Sequence, residues 1–588
     1  MSATRLTNKQ IVTYLKETLA ALEVTEANRF RVRAYQNAIS SIDALTSSVY
    51  DLWENNRLSE IAGVGEGLKY DLTSLFESGG VPEHEKLKKS LPQGMFELIG
   101  IRGIGAKKAY KLAKAFSLED RALALEKLKE AAETGKVQIL DGFGEKSEKD
   151  ILEALLDSKK TKNEKPRLLL IKAEEVAERV LSYMKLCPSV IEINTLGSLR
   201  RRQSTVGDLD IAASSHDIEK VLGFFEKFPE IGEVIARGDK KIQAVLKNDL
   251  QIDFRVATPK AYGAMLQYFT GSKQHNVLLR TYSLDSGKSL SEYGIKYKSS
   301  LHEFSTEADF YRFIGLPYIH PELRQGKNEI ELARGNKLPS LVQLSDIKGE
   351  VHTHTTSSDG ENSLDDMTEV AASMDYQYYG ISDHAPSVIS RGYDEVEKII
   401  YNHKTQISIR QKELKDLKLL FGYEVNILND STLGLPDSLL KELDYVVASI
   451  HTSFSQDRDV ITERLIKAIE NPYVNIIGHP SGRLINERIA CDIDWTKVFD
   501  ALLYNDKTIE INSQPSRLDL ADDLVKEAIG RGIKIIINTD AHSTRDLSYM
   551  KYGIDVARRG FCEARNIVNT LPLDDFLRVL KVRNQKEK

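Results

Sequence analysis

From residue 346 onward the sequence repeats one unit: a short apolar run with the composition of a strand, and a side chain able to bind a metal at or just past the end of most runs, with helical stretches between most of them. The runs end at Val351, Ile381, Val425, Ile450, Ile477, Ile511 and Ile537. Strands that read as continuous apolar segments are buried on both faces, and strict alternation of strand and helix makes them parallel. Seven in succession suggest a parallel barrel, whose functional groups belong at the C-terminal ends of the strands.

The side chains at those ends form a set. Glu350-Val-His352-Thr-His354 places two imidazoles two residues apart, so both face one way from an extended segment. Asp359 follows, then Ser382-Asp-His384, Gly422-Tyr-Glu424, Ser449-Ile-His451, Gly478-His479 and Thr539-Asp540-Ala-His542. A single histidine beside a strand is ordinarily a hydrogen-bonded structural residue. Here six of the seven histidines beyond residue 345 fall at the same point of successive units. Nitrogen and oxygen ligands without thiolate suit Zn²⁺, Mn²⁺ or Fe²⁺ rather than Ca²⁺. Nine ligands exceed the needs of one or two ions, so three ions are expected. Residues 346–588 also carry ten more acidic than basic side chains, which fits carboxylates that hold cations, whereas 1–160 are balanced and 161–345 are slightly basic.

A chain of 588 residues is too long for one core and should divide into three or four domains. There is no apolar run of membrane-spanning length, and residues 1–25 read as an amphipathic helix without the core of a signal peptide. Cys187, Cys491 and Cys562 are scattered thiols, neither a disulfide framework nor a metal site. The expectation is a cytoplasmic protein with no membrane partner.

The first third reads helical, with apolar spacing over 7–22 and 31–45. Three segments then share one theme, an apolar helix end, a Gly-x-Gly turn and a new helix: Ile61-Ala-Gly63-Val-Gly65, Ile101-Arg-Gly103-Ile-Gly105 and Leu140-Asp-Gly142-Phe-Gly144. Glycines there admit positive φ and let a phosphate approach backbone N–H groups at a helix N-terminus. The segments resemble the helix-hairpin-helix, which grips a DNA backbone without reading sequence; the expected cofactors include a monovalent cation at the hairpins.

Residues 159–166 form a charged, proline-ended linker, after which strands are expected over 190–196, 209–213, 241–246 and 250–256. Gly197-Ser198-Leu-Arg-Arg201 precedes Gly207-Asp208-Leu-Asp210. Asp208 and Asp210, two apart on a strand, project to one face, and Asp253 on a later strand supplies a third carboxylate. Paired carboxylates of this kind suit two Mg²⁺ or Mn²⁺ ions that activate a 3′-hydroxyl and hold a triphosphate. Gly197 and Ser198 open a helix able to hold a phosphate, with Arg200 or Arg201 adding charge.

These motifs resemble the palm of the family X DNA polymerases, within the nucleotidyltransferase superfamily. Tyr268-Phe269-Thr-Gly271 is similar to the family's Tyr-Phe-x-Gly element, and the resemblance implies that the aromatics lie beneath the incoming sugar, with Asn276 against the base and Arg280 against the template strand. The order His-x-His, Asp, His, Glu, His, His, Asp-x-His resembles the PHP (polymerase and histidinol phosphatase) domain, a seven-stranded distorted barrel of phosphoesterases. Asp383, beside a ligand, is expected to support it from behind; Arg391 and Arg483 lie near ligand loops as phosphate contacts or as surface charges. In family members with a deoxyribose-phosphate lyase, a Schiff-base lysine follows the first hairpin. Asp71 stands at that position, with Lys69 two residues away, so the resemblance does not extend to a lyase activity.

The resulting expectation is a multidomain chain: 1–85 a helical DNA-binding, lyase-like domain, 86–160 helix-hairpin-helix fingers, 161–257 an α+β nucleotidyltransferase palm, 258–325 a thumb, 326–345 a linker and 346–588 a distorted (β/α)7 barrel. Its expected function is gap filling by template-directed nucleotidyl transfer, with 3′-end hydrolysis at the barrel, acting as a monomer on gapped or nicked DNA with deoxynucleoside triphosphates. Two alternatives stand beside it: a polymerase whose barrel metals are structural, and a nucleotidyltransferase fused to a small-molecule phosphatase.

Overall fold

The computed structural model describes residues 167–581 apart from 455, and residues 6–152 apart from 7, 26–27, 45–48, 55–56, 62, 100–103, 141, 145–146 and 149–150. The chain divides into two compact units, one of Met1–Pro166 with Ile218–Arg255 and one of Arg167–Asp217 with Val256–Lys588. The linker at 159–166 lies outside the described residues.

In the first unit the expected opening helices are Asn8–Val24 and Arg29–Ala44. The helices after the first two hairpins each bury one stripe. Glu66–Ser78 buries Leu68, Leu72, Leu75 and Phe76; Ala106–Ala115 buries Ala106, Ala109, Leu112 and Ala113, leaving its lysines on other faces. Two cores result, one around Leu15, Tyr35, Leu72 and Phe76 and one around Met95, Ala109, Leu112 and Leu128. The unit also contains an antiparallel meander, Ile231–Arg237 on Lys241–Leu246 on Gln251–Ala257. Its first strand is absent from the sequence reading for a physical reason: Val234 and Ile235 are exposed and the pairing is interrupted by two register shifts, so no alternation of apolar and polar residues survives.

The second unit begins with helix Leu170–Met184 and the antiparallel pair Glu192–Thr195 and Leu209–Ser214. Helices Tyr262–Thr270 and Lys273–Leu284, a three-stranded antiparallel sheet of Ser289–Ser291, Gly294–Tyr297 and Ser300–His302, and helix Glu307–Phe313 follow. Tyr262–Thr270 is buried nearly all round, so it shows no apolar stripe to read.

The rest of this unit is the expected barrel. Strands Gly349–Glu350, Tyr378–Ile381, Lys418–Asn426, Tyr445–Ser449, Ile476–Ile477, Thr508–Asn512 and Lys534–Asn538 pair in sequence order, every ladder parallel. The seam between first and last strands is closed by a parallel bridge of Thr353 with Ala541, the His354 N–H donating to Ala541 O (2.9 Å). Helix Leu573–Val579 covers the N-terminal end, where Phe576 stacks on Tyr378 with ring centroids 3.9 Å apart. The opposite, C-terminal end carries the ligands. No helix among the described residues is long and apolar enough to cross a membrane.

Candidate metal centre and nucleotide-transfer site

Because the barrel strands are parallel, the residues that follow them emerge at one end, and all nine predicted ligands meet there. Their donor atoms form four overlapping groups, within each of which the atoms lie within 4.8 Å of one another: His354, Asp359, His384 and His542; His352, His354 and Glu424; His352, His479 and Asp540; His384, Glu424 and His451. Glu424 is the hub. Its Oε1 faces His479 Nε2 (2.8 Å), His451 Nε2 (3.2 Å) and His352 Nε2 (3.5 Å), while Oε2 faces His384 Nδ1 (3.0 Å) and His354 Nε2 (3.7 Å). Asp540 Oδ1 lies 3.0 Å from His354 Nε2, and Asp359 Oδ2 lies 3.3 Å from His384 and 3.4 Å from His542.

The cage has a closed floor and an open rim. His352, His354, Glu424, His479 and Asp540 are buried, whereas the side chains of Asp359, His384, His451 and His542 are partly exposed. Close packing requires Gly478: a Cβ there would stand 2.4 Å from Ser449 Oγ. His479 and Asp540 both hold positive φ, 24° and 53°, a strained backbone of the kind that clusters at functional sites.

Electrostatics argue that the cage is built for cations. Burial works against the charge of Glu424 and Asp540, yet the imidazoles around them, His352 foremost, hold both carboxyls well below the usual carboxylate range. Burial also opposes a charge on His352, but Glu510, Asp540 and Glu424 raise its pKa well above that of an ordinary imidazole. Meanwhile His352 Nε2 and both ring nitrogens of His354 are buried without a hydrogen-bond partner. Unpaired buried nitrogens aimed at carboxylates are costly unless a metal ion stands between them. The residues suit divalent ions.

A second ring of groups orients the ligands, and sequence reasoning missed most of it. Glu510 accepts from His352 Nδ1 (2.7 Å), the His479 N–H (2.7 Å) and Asn538 Nδ2 (2.9 Å). His451 Nδ1 donates to Asn426 Oδ1, and His542 Nδ1 to the Asp540 carbonyl (2.9 Å). Each contact turns Nε2 toward the cage. Asp383 accepts from the Thr355 N–H (2.7 Å), Thr355 Oγ1 (2.8 Å) and Ser358 Oγ (2.6 Å), fixing the loop that carries Asp359. The readable signal for Glu510 was a carboxylate inside an otherwise apolar strand, as for Glu424.

The residues predicted for nucleotide transfer are arranged differently. Gly197–Arg200 is a single helical turn entered at Gly197, φ 56°, where a Cβ would stand 2.5 Å from Asp210 Oδ2. Only glycine brings this turn so close to the carboxylate. Ser198 is half-buried on the turn; Asp210 is the second residue of strand Leu209–Ser214, and Asp208 just before the strand is exposed. Arg201 donates to the Thr270 carbonyl; burial pushes its pKa down to about 10 against the pull of Asp210. That bond joins the glycine-serine turn to the Tyr268–Gly271 element, whose Tyr268 and Phe269 rings meet edge-to-face at 5.0 Å. Asn276 donates to the Tyr268 carbonyl (2.7 Å) and accepts from Gln267 (2.9 Å), and Arg280 lies one turn further along the same helix. Asp253 stands on strand Gln251–Ala257 and is paired with Arg255 (2.9 Å) and Lys241 (3.0 Å).

Models of four families match the chain: a helix-hairpin-helix domain over residues 6–80, a SAM-like helix-hairpin-helix tandem over 95–157, the DNA polymerase beta thumb over 265–325 and the PHP domain over 350–514. A protein of Bacillus subtilis (strain 168) named DNA polymerase/3′-5′ exonuclease PolX is 35% identical over 580 residues, covering 98% of this chain and 99% of the relative. The chain belongs to the family X DNA polymerases that carry a PHP domain. Shorter matches are a probable phosphatase of Thermoanaerobacter sp. (strain X514), 29% identical over 38% of this chain and 89% of its own, and one of Acetivibrio thermocellus, 28% identical over 33% and 78%.

Within this family X polymerase the hairpin glycines follow one plan. Gly63 and Gly142 hold φ of 81° and 84°. Gly65 and Gly105 precede helices Glu66–Ser78 and Ala106–Ala115, and a Cβ on Gly65, Gly105 or Gly144 would meet nothing within 4 Å. Gly103 lies outside the described residues. Asp71, at the lyase lysine's position, accepts from Tyr35 Oη (2.5 Å), which also meets His84 Nε2 (2.8 Å); Lys69 pairs with Glu66 (2.6 Å). The position that would carry the Schiff-base amine holds a carboxylate tied into the fold. Of the two arginines near ligand loops, Arg391 is exposed and pairs with Glu395 (3.3 Å), and Arg483 spends its Nε on the Arg517 carbonyl (2.7 Å). Arg517 itself, overlooked in the sequence, reaches Asp540 Oδ2 at 3.6 Å.

Proposed function

We propose that the chain is a DNA repair polymerase that fills short gaps by template-directed nucleotidyl transfer and whose PHP domain hydrolyses phosphodiesters at DNA 3′ ends. The observation that carries the polymerase reading is the bond from Arg201 to the Thr270 carbonyl, which ties the glycine-serine turn beside Asp210 to the helix that carries Tyr268 and Phe269. In this reading Asp208, Asp210 and Asp253 would hold Mg²⁺ or Mn²⁺, which would supply a lowered pKa at the primer hydroxyl and positive charge for the triphosphate. Gly197, Ser198 and Arg201 bind the phosphates, and Tyr268, Phe269 and Gly271 bound the sugar. Asn276 meets the base and Arg280 the template. The primer 3′-oxygen gives up its proton to water and attacks the α-phosphorus, the bond from that phosphorus to the oxygen bridging to the β-phosphate breaks, and pyrophosphate leaves.

At the barrel, three Mn²⁺, Zn²⁺ or Fe²⁺ ions held by the nine ligands would supply hydroxide near neutral pH and polarise a phosphodiester. The open rim admits a strand end, and Arg517 beside Asp540 holds a non-bridging phosphate oxygen. The partly exposed ligands weigh against a purely structural site, which would be closed. The hairpin glycines take DNA flanking the gap, with a monovalent cation at the hairpins, and the domain limits at 85, 160, 257, 325 and 345 belong to this reading, as does a monomeric cytoplasmic protein. The test is direct: incubate the pure protein with gapped DNA and with single-stranded DNA in Mn²⁺, with and without deoxynucleoside triphosphates. Extension across the gap and shortening from the 3′ end support the reading. Neither extension nor shortening, with release of phosphate from small monoesters instead, overturns it in favour of the phosphatase fusion.

A further inference from the structure

Three consecutive arginines follow the nucleotide turn, and they are held in three directions. Arg200 donates to Thr270 Oγ1 and to Glu307 (both 2.5 Å), Arg201 to the Thr270 carbonyl. Arg202, at φ 57°, turns toward the barrel instead. It donates to Asp555 through Nε (2.8 Å), pairs with it through Nη2 (2.7 Å), and donates through Nη1 to Glu174. Asp555 belongs to helix Met550–Arg559 of the barrel region, and Glu174 to helix Leu170–Met184 of the palm.

The barrel helix answers with more contacts. Tyr552 Oη donates to Glu174 (2.7 Å), and Lys551 pairs with the same carboxylate (3.2 Å). Arg559, fully buried, donates to the Arg202 carbonyl and to Ser204 Oγ (3.2 Å) and is held by Asp522 (3.5 Å). The other side of the helix lies hard against the barrel wall: a Cβ on Gly553 would stand 2.1 Å from Ser513 Oγ and 2.4 Å from Ile537 Cγ2. The helix therefore has no freedom to drift from the barrel, and Arg202 none to drift from the helix. A four-residue helical turn has almost no hydrogen bonding of its own to hold its shape. At one end it is fixed by the Leu196 N–H to the Asp210 carbonyl (2.7 Å); at the other it is fixed by the barrel.

We propose that helix Met550–Arg559 is a positioning element of the nucleotide-transfer site: Asp555 and Arg559, through Arg202, hold the turn Gly197–Arg200 in place beside Asp210. This rests on the reading of that turn as the triphosphate cradle. The PHP domain then contributes to nucleotide binding without touching the nucleotide, and the two activities share a mechanical part while keeping separate chemistry.

The test uses the full-length protein and steady-state insertion kinetics. Asp555→Asn and Arg202→Gln should each raise KM for the incoming nucleotide about tenfold with kcat within about twofold, as for a lost coupling contact that leaves the chemistry intact. The double variant should be no worse than the worse single one. Bound metal at the barrel and 3′-end hydrolysis should be unchanged. Should Asp555→Asn fold poorly, Tyr552→Phe, which removes one hydroxyl from Glu174, should still raise KM about twofold. Unchanged KM in all of these overturns the proposal, and so does a parallel fall of kcat, metal content and melting temperature, which would mean general damage. Ser198→Ala and Arg201→Gln separate the two levels: if they leave KM unchanged, the cradle reading itself fails; if they raise it while Asp555→Asn does not, only the positioning role fails.

Discussion

The barrel cage and the carboxylates predicted for the palm stabilise their charges by different means. In the barrel, Glu424 and Asp540 are buried among imidazoles, and a second ring of Glu510, Asn426 and Asp383 sets each ligand's orientation. In the palm, Asp208 is exposed, Asp210 lies against a glycine turn, and Asp253 is neutralised by Arg255 and Lys241. Burial works against the Asp253 charge, and those two cations still hold its carboxyl below the usual range. A cage of imidazoles answers to a resident ion, because imidazole is neutral when deprotonated and leaves the site net negative. A carboxylate paired with a lysine and an arginine must exchange those partners before it can take an ion. The difference teaches that the barrel residues already converge on one another, whereas Asp253 is held by cations of its own strands.

The comparison can be broken most sharply at the barrel floor. His352→Ala or Asp540→Ala should reduce 3′-end hydrolysis below detection and lower bound transition metal, with insertion nearly intact; stripping the wild-type protein with a chelator and restoring Mg²⁺ alone should do the same. If hydrolysis survives both changes and disappears with Asp210→Asn, it belongs to the polymerase site run in reverse. Next in size, Asp210→Asn should lower gap filling by roughly 10³-fold or more while DNA binding, followed by fluorescence anisotropy, persists. Extension at near wild-type rate would sink the assignment of the palm.

Glu510→Gln sharpens the contrast at an intermediate scale. Both Glu510 oxygens accept from donors, so an amide would set an N–H₂ against an N–H on one side. Metal affinity at the barrel should fall about 10- to 100-fold, read by competition with a chromogenic chelator, and gap filling should not change. Equal affinity would mean that the second ring is decoration. The smallest effect expected is at the hairpins. Gly105 has φ −83° and open space where a side chain would go, so Gly105→Val should fold normally. It should weaken DNA binding a few-fold, equally for unrelated sequences, because the contact is to phosphate. A loss confined to particular sequences would contradict backbone recognition.

How far each region was legible follows from where its information lies in the chain. The barrel could be read because each strand is a local apolar run and each ligand sits at the same offset from it, so position along the sequence maps directly to position at the mouth. Asp210 could be placed on a strand for the same local reason, although Asp208 falls just before it. Ile231–Arg237 was not, since an exposed edge strand with interrupted register has no burial pattern to betray it. Tyr262–Thr270 was hidden by the opposite condition, burial on all sides. Arg202 and Asp555 had no local signal at all: one is the third arginine of a run, the other an acid on a helix, and only the fold makes them partners.

The barrel seam has a consequence for the order of events during synthesis. Thr353 and His354 are held by Ala541, so the first strand finds its last neighbour only after almost the whole region has been made. At common translation speeds that interval is roughly 10–40 s, during which seven of the nine ligands exist on a chain that cannot yet close. Contacts so distant in sequence are slow to form and are made late. Bound metal is therefore a reporter of the completed ring, and a nascent or slipped barrel should be recognisable by its empty cage long before its strands look wrong.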